Sequence, residues 1–240
     1  MRVRSRSFWV ALLLVVQAGV AQADDAITEP VRMVTSASAA SDGDDAAARA
    51  LALLMRRAGL RYSLSREPTE RAVVSLRAGL FDADLLRYPQ FDRIVPGAIR
   101  VDPHLLSTTL VAFSRSQEAL APKGWEALRG RRVAYVRGIK LIEQELGGQA
   151  ELSATNGPTS CLSMAAAGRV DVCLLNAETS AAAPELIDGS RLKRTELIQV
   201  NLHIWVGPGH EALARRLSRA LQGLVTSGEL SPVVGAKRAH

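Results

Sequence analysis

Short β-type runs alternate with amphipathic helical stretches along this chain, and that alternation limits its possible folds more than any single motif does. Residues 31–35 are β-rich, and 44–58 repeat Ala47, Ala50, Leu51, Leu54, Met55 and Ala58 at helical spacing behind Asp42, Asp44 and Asp45. Residues 60–64 predict a second strand, with Pro68 opening a helix over 70–78 that carries Ala72, Val73, Leu76 and Leu80 on one side. Gly79 is the expected stop, and 81–86 the third strand. Strands separated by single helices join in parallel with helices on both faces, which is an α/β architecture.

The pattern restarts after an apolar run at 108–113. A short helix at 125–128, strands at 132–136, 150–153 and 170–175, and helices at 138–146 and 159–167 make a second, smaller α/β unit. Residues 197–206 are another long β-type run. Residues 211–225 form a helix with Leu213, Leu217, Ala220, Leu221, Leu224 and Val225 on one face. The tail from Ser231 has no periodicity. Two α/β units joined by two long strands predict two lobes hinged about a double crossing near Val111 and Ile204. The first lobe would comprise residues 24–110 and 207–240, the second residues 111–206.

Residues 1–23 read as a secretory signal peptide. Arg2, Arg4 and Arg6 precede an apolar run over 8–20, and Ala21-Gln22-Ala23 form a small-x-small cleavage site before Asp24. The run is shorter than the roughly 20 residues that span a bilayer. No Cys follows it to take a lipid. The expected product is a soluble periplasmic chain of 217 residues starting at Asp24. With 48% apolar and 22% charged residues it can bury a core, which excludes a disordered or fibrous chain. Three of the charges in the net +6 belong to the leader, so the remainder carries a dispersed +3, and of ten aromatics Phe8 and Trp9 also fall in the leader. Neither feature suits a nucleic-acid partner.

Cys161 and Cys173 flank a helix returning into a strand. An oxidising compartment allows them to pair, but bridged Cα atoms rarely exceed about 7 Å, and such layers are often further apart. Two small buried apolar side chains are the reading the spacing favours, with a disulfide as the alternative. His104, His203, His210 and His240 are scattered and neither Cys sits in a ligand-spaced motif, so no metal site is expected. Gly-x-Ser-x-Gly, Walker, Rossmann and His-Glu-x-x-His motifs are all missing, so no cofactor is expected and these enzyme classes have no support.

Three stretches carry a resemblance. They are Pro68 to Ala72 with Leu76-Arg77-Ala78-Gly79-Leu80-Phe81-Asp82-Ala83-Asp84-Leu85-Leu86-Arg87, then Trp125-Glu126-Ala127-Leu128-Arg129-Gly130 with Arg132 to Gly138, then Ala167-Gly168-Arg169-Val170-Asp171-Val172. In order and spacing, over about three quarters of the chain, they resemble the extracytoplasmic solute-binding proteins of the amino-acid type (family 3). That resemblance implies the two-lobed periplasmic-binding-protein-like type II fold with two crossover strands, no catalysis, a small polar or anionic amino-acid-like ligand held by a monomer, and an inner-membrane ABC permease as partner. It also marks three departures. Residues 36–43 contain no aromatic ring to cover a ligand. Gly138 is followed by Ile139 and Lys140 where relatives place Thr or Ser, and the acid expected to meet a ligand ammonium falls on Asn176.

Ligands of open α/β sheets sit beyond the carboxyl ends of the strands, beside helix N-termini. Candidate binding residues follow from that rule. Arg87 ends a strand, where it can grip a carboxylate or pair with Asp84 or Asp92. Arg137 and Gly138, with Lys140, frame a helix start suited to an anion. Thr159 and Ser160 open a helix as caps or ligand contacts. Asn176 and Glu178 follow another strand end. Two other readings remain: a ligand-reporting domain for a signalling partner, and a dehydratase-like enzyme with Glu178 as acid or base.

Overall fold

The computed structural model describes residues 27–36, 46–116, 124–181, 187 and 191–231. The expected signal peptide and most of the 36–43 loop lie outside them. Strand β1 (Val31–Ser36) is followed by α1 (Ala46–Ala58), whose buried residues are the six that the periodicity singles out. Arg216 Nε donates to the Ala58 carbonyl at 2.8 Å and so closes the C-terminal end of α1. Strand β2 (Tyr62–Glu67) starts two residues later than expected, because the Leu60 amide donates back to the Met55 carbonyl and its side chain joins the core.

Helix α2 (Thr69–Arg77) buries Ala72, Ser75 and Leu76. Val73 is only partly buried, and the third inward position belongs to Ser75, whose hydroxyl donates to Glu67 Oε2 at 2.9 Å. Leu80 is 60% exposed, since the helix closes with the Gly79 amide on the Leu76 carbonyl and Gly79 at φ +71° turns the chain outward.

Strand β3 (Ala83–Arg87) leads through a 3-10 turn at Phe91–Arg93 to the short β4 (Ile99–Arg100) and the long β5 (Leu106–Ser114). Next come a 3-10 turn at Trp125–Leu128, β6 (Arg132–Val136), α3 (Lys140–Leu146), β7 (Glu151–Thr155), α4 (Pro158–Ala166), β8 (Val172–Asn176) and α5 (Ala177–Ala181). Strand β9 (Lys193–Val206) and α6 (Glu211–Ser227) complete the described chain. On α6, Val225 is 45% exposed rather than buried with its expected face.

The strands form one continuous path, β2-β1-β3-β9-β5-β8-β6-β7, with β4 beside β9. The outer groups are parallel, β1 with β2 and β3 in one and β6 with β7 and β8 in the other. Between them, β9 and β5 run antiparallel to each other and to their outer neighbours. The β5–β9 register shifts between Leu110 and Val111, so Leu197 has no opposite number at the level where the crossing is expected. His203, Trp205 and Val206 pair with β3, so β9 has already joined the first group before its end.

One construction recurs in both groups. Arg32 near the start of β1 grips Asp82 ahead of β3, and Arg132 at the start of β6 grips Asp171 ahead of β8, each with Nη2–Oδ1 at 2.6 Å. In each case the backbone amide of the Arg also donates to the Asp, at 2.8 and 2.9 Å, and Nη2 reaches the carbonyl of Gly79 or Gly168. The Gly-x-x-Asp stretches that carried the resemblance therefore tie parallel strands together at their N-terminal ends.

Cys161 and Cys173 form a disulfide, with Cα atoms 5.4 Å apart. The sequence favoured two unbridged side chains. Instead the first turn of α4 packs directly on β8, inside a dry cluster with Val111, Phe113 and Leu175, and that brings the two within bridging reach.

Candidate functional site

The C-terminal ends of the two parallel groups face each other, and among the described residues three contacts between them stand out. A Cβ placed on Gly138 would lie 3.1 Å from Thr69 Cβ and Oγ1. Lys140 Nζ is 3.5 Å from Glu70 Oε1. The Tyr88 hydroxyl donates to Asn176 Oδ1 at 3.5 Å, and the Tyr88 side chain packs on the hydrophobic cluster of the second group. The sequence therefore builds its cleft between the β2–α2 and β3 ends on one side and the β6–α3 and β8 ends on the other. Gly138, at φ +97°, has both the conformation and the missing side chain that this approach requires.

On the second side three neighbouring strand ends collect most of the expected residues. Arg137 is exposed and follows β6, its amide held by the Thr155 carbonyl at 2.8 Å. Thr159 and Ser160 are exposed at the start of α4 beyond β7. Neither caps that helix: its N-cap is Gly157, without a side-chain hydrogen bond, while Thr155 Oγ1 serves the carbonyls of Tyr135 and Gly157. Asn176 ends β8, half-buried. Glu178 lies in α5, and its side chain is outside the described residues.

Lys140 does not stand free for an anion. It is shared between Glu143, at 3.0 Å, and Glu70 across the cleft, and the hydrogen bond to Glu143 raises the pKa of its ammonium. Tyr135 donates to the same Glu143 at 2.8 Å, and burial together with that bond pushes its hydroxyl up to about 12.

On the first side Arg87 faces inward, and the carboxylate it grips is Asp84, with Nε and Nη2 at 2.8 and 2.7 Å from Oδ2. Residues three apart on a regular strand point to opposite faces. Here the pairing with β9 shifts between Asp84 and Arg87, and Leu86 takes φ +65°, so both side chains meet on one buried face. The guanidinium also lies 5.1 Å over the Phe91 ring. Asp84 is fully buried, and its Oδ1 has no hydrogen-bond partner. Burial raises its carboxyl to about 6, against the opposing pull of Arg87.

Tyr88, Thr69 and Glu70 are the site residues that sequence reasoning missed. Tyr88 places a ring at the cleft edge just beyond β3, and its backbone carbonyl is held by Trp205 Nε1 at 3.1 Å. The available signal was its position directly after a strand end. No group of three metal-ligating side chains forms among the described residues, and none of their helices is long and apolar enough to cross a membrane.

No family model and no curated protein matches this sequence. Solved structures do match in shape. The arginine-, lysine-, histidine-binding protein ArtJ from Geobacillus stearothermophilus superposes with a TM-score of 0.61 at 16% identity, covering 85% of this chain and 93% of that one. The GluR0 ligand-binding core in complex with L-glutamate gives 0.66 at 12% identity, covering 86% and 97%. This chain has the two-lobed periplasmic-binding-protein-like fold. A histidine kinase sensor domain with similarity to periplasmic binding proteins shares the same shape, at 0.62 and 19% identity over 85% and 93%. Within that fold, β5 and β9 are the crossover strands, and the contacts of Gly138, Lys140 and Asn176 span the cleft between the lobes.

Proposed function

We propose that this protein is a periplasmic solute-binding protein that captures a small polar or anionic, amino-acid-like solute between its two lobes and performs no covalent chemistry. The observation that carries this reading is the meeting of two rows of strand ends across one cleft, on a fold whose solved examples hold amino acids. Arg137, Gly138, Thr159, Ser160 and Asn176 form the ligand wall of the second lobe, with Glu178 beside them. Arg87 is the cation of the first lobe, and reaches a ligand only if Asp84 releases it. Export by a cleaved signal peptide at 1–23 and delivery to an inner-membrane ABC permease complete the reading.

The test is a thermal-shift screen of the chain from Asp24 against amino acids, small carboxylates and amines. A specific ligand at about 100 times its dissociation constant adds roughly 2.7 kcal/mol of stability. A hit weakened by Arg137→Ala establishes the reading, whereas silence from well-folded protein refutes it. The likeness to a histidine kinase sensor domain favours a second reading, a ligand-reporting domain, in which the same cleft signals to a partner instead of delivering its solute.

A further inference from the structure

The contact between Lys140 and Glu70 differs in kind from those of Gly138 with Thr69 and of Tyr88 with Asn176, because formal charges make it. The Lys140 side chain is 34% exposed and that of Glu70 66%, so water and salt reach the pair. Each side that carries it is held by its own sheet. On the second lobe Glu143 accepts from Lys140 at 3.0 Å and from the buried Tyr135 of β6 at 2.8 Å, which ties α3 to its strand. On the first lobe Glu70 stands in the first turn of α2, next to Thr69, whose Oγ1 is paired with Ser36 Oγ at the end of β1 at 2.5 Å. Thr69 in turn meets Gly138, two residues before α3. The ion pair therefore closes over a backbone approach already shaped to fit, instead of joining two independently mobile side chains.

Lys140 has a carboxylate on each side of the cleft, and only one of them travels with it. Glu143 lies one turn along the same helix, whereas Glu70, at 3.5 Å, belongs to the other lobe. Both carboxylates favour the charged ammonium, Glu143 the more strongly. Parting of the lobes thus takes one partner from Lys140 without leaving its charge bare. From this sharing of Lys140 between Glu143 of its own lobe and Glu70 of the other, we infer that Lys140 is the bolt of an electrostatic latch, which biases the lobes toward the closed arrangement and releases them as ionic strength rises. The inference rests on the two-lobed fold and not on the identity of any solute. Exposed ion pairs are individually weak, so the latch shifts the ratio of closed to open molecules by up to about fivefold. It is a bias on an equilibrium, to which a solute that prefers the closed arrangement adds its own preference.

Small-angle scattering on the chain from Asp24, with no solute added, tests this through the radius of gyration at about 0.01 M and about 1 M salt, between which the Debye length falls from about 30 to about 3 Å. The parent is expected to be compact at low salt and to expand at high salt. Glu70→Gln, which keeps the shape of the side chain without its charge, should show the expanded value at low salt and no response to salt. Glu70→Lys should expand the protein further. The exchanged pair, Glu70→Lys with Lys140→Glu, sets a cation against the carboxylates at 140 and 143 and should recover both the compactness and the salt response of the parent. The substituted side chains are solvent-accessible, so each variant is expected to keep a near-parental urea midpoint, which checks that it is folded. A parent radius that does not change with salt, single variants as compact as the parent at low salt, or a folded exchanged pair that stays expanded each overturns the inference. The solute-binding reading stands in all three cases, since no solute enters the measurement and the thermal-shift screen judges that reading separately.

Discussion

The buried pair Asp84–Arg87 makes a prediction whose sign separates two opposing forces. Burial raises the Asp84 carboxyl from 3.8 to about 6, although Arg87 lies 2.7 Å away and pulls it down. A carboxyl whose folded pKa exceeds its unfolded one holds its proton more tightly when folded. Its contribution to stability is therefore complete below the unfolded value, declines as pH rises from about 3.8 to about 6, and is constant above that. At about 1.4 kcal/mol per pKa unit, the loss across this window is about 3 kcal/mol. For a domain of this size that corresponds to about 6–12 °C in Tm.

Asp84→Asn cannot ionise, so it escapes the loss. The assay is urea denaturation of both proteins at several pH values between 4 and 7. The stability of the wild type relative to Asp84→Asn should fall by about 3 kcal/mol as pH rises through the window. Asp82 and Asp171 titrate with the opposite sign, being held low by Arg32 and Arg132, but both are present in the wild type and the variant alike and cancel in the difference. A flat difference would refute the reasoning. A rise with pH would show that the ion pair outweighs desolvation, in which case Arg87 is a firmly paired structural cation and not a ligand residue.

Two further predictions concern the cleft. Gly138→Ala should cost about 1–2 kcal/mol from positive φ alone, and because its Cβ would stand 3.1 Å from Thr69, small-angle scattering should report a larger radius of gyration as the lobes part. Replacing Cys161 and Cys173 together with Ser removes a crosslink between residues 12 apart and should lower stability by about 3 kcal/mol, read from denaturation with and without reductant on the parent protein.

Local signals reached far along this chain. The inward face of α1 was legible because six apolar residues repeat at 3.6-residue spacing and each of them is buried. Gly79 was legible as a helix stop because its φ of +71° is one that few other residues tolerate. The alternation of strands and helices announced two parallel groups, and the strand-end rule placed Arg137, Gly138, Thr159, Ser160 and Asn176 on one edge.

Other features had no local signature, because each depends on a residue far away in sequence. The two-residue β4 exists only as a neighbour of β9, and Ser75 is buried because Glu67 accepts its hydroxyl. Arg87 turns inward because β9 forces an irregular register on β3, which no periodicity within β3 records. Cys161 and Cys173 are joined because α4 packs closely on β8, a distance that spacing does not specify. Tyr88 reaches Asn176, 88 residues away, only once the lobes meet. Periodicity and turn chemistry thus determined the elements and their order, since those follow from each residue's own backbone preferences and polarity. The charge state of Asp84, the pairing of Arg87 and Lys140 and the polarity of the cleft wall depend on burial and on partners from distant segments, so only the tertiary structure could decide them.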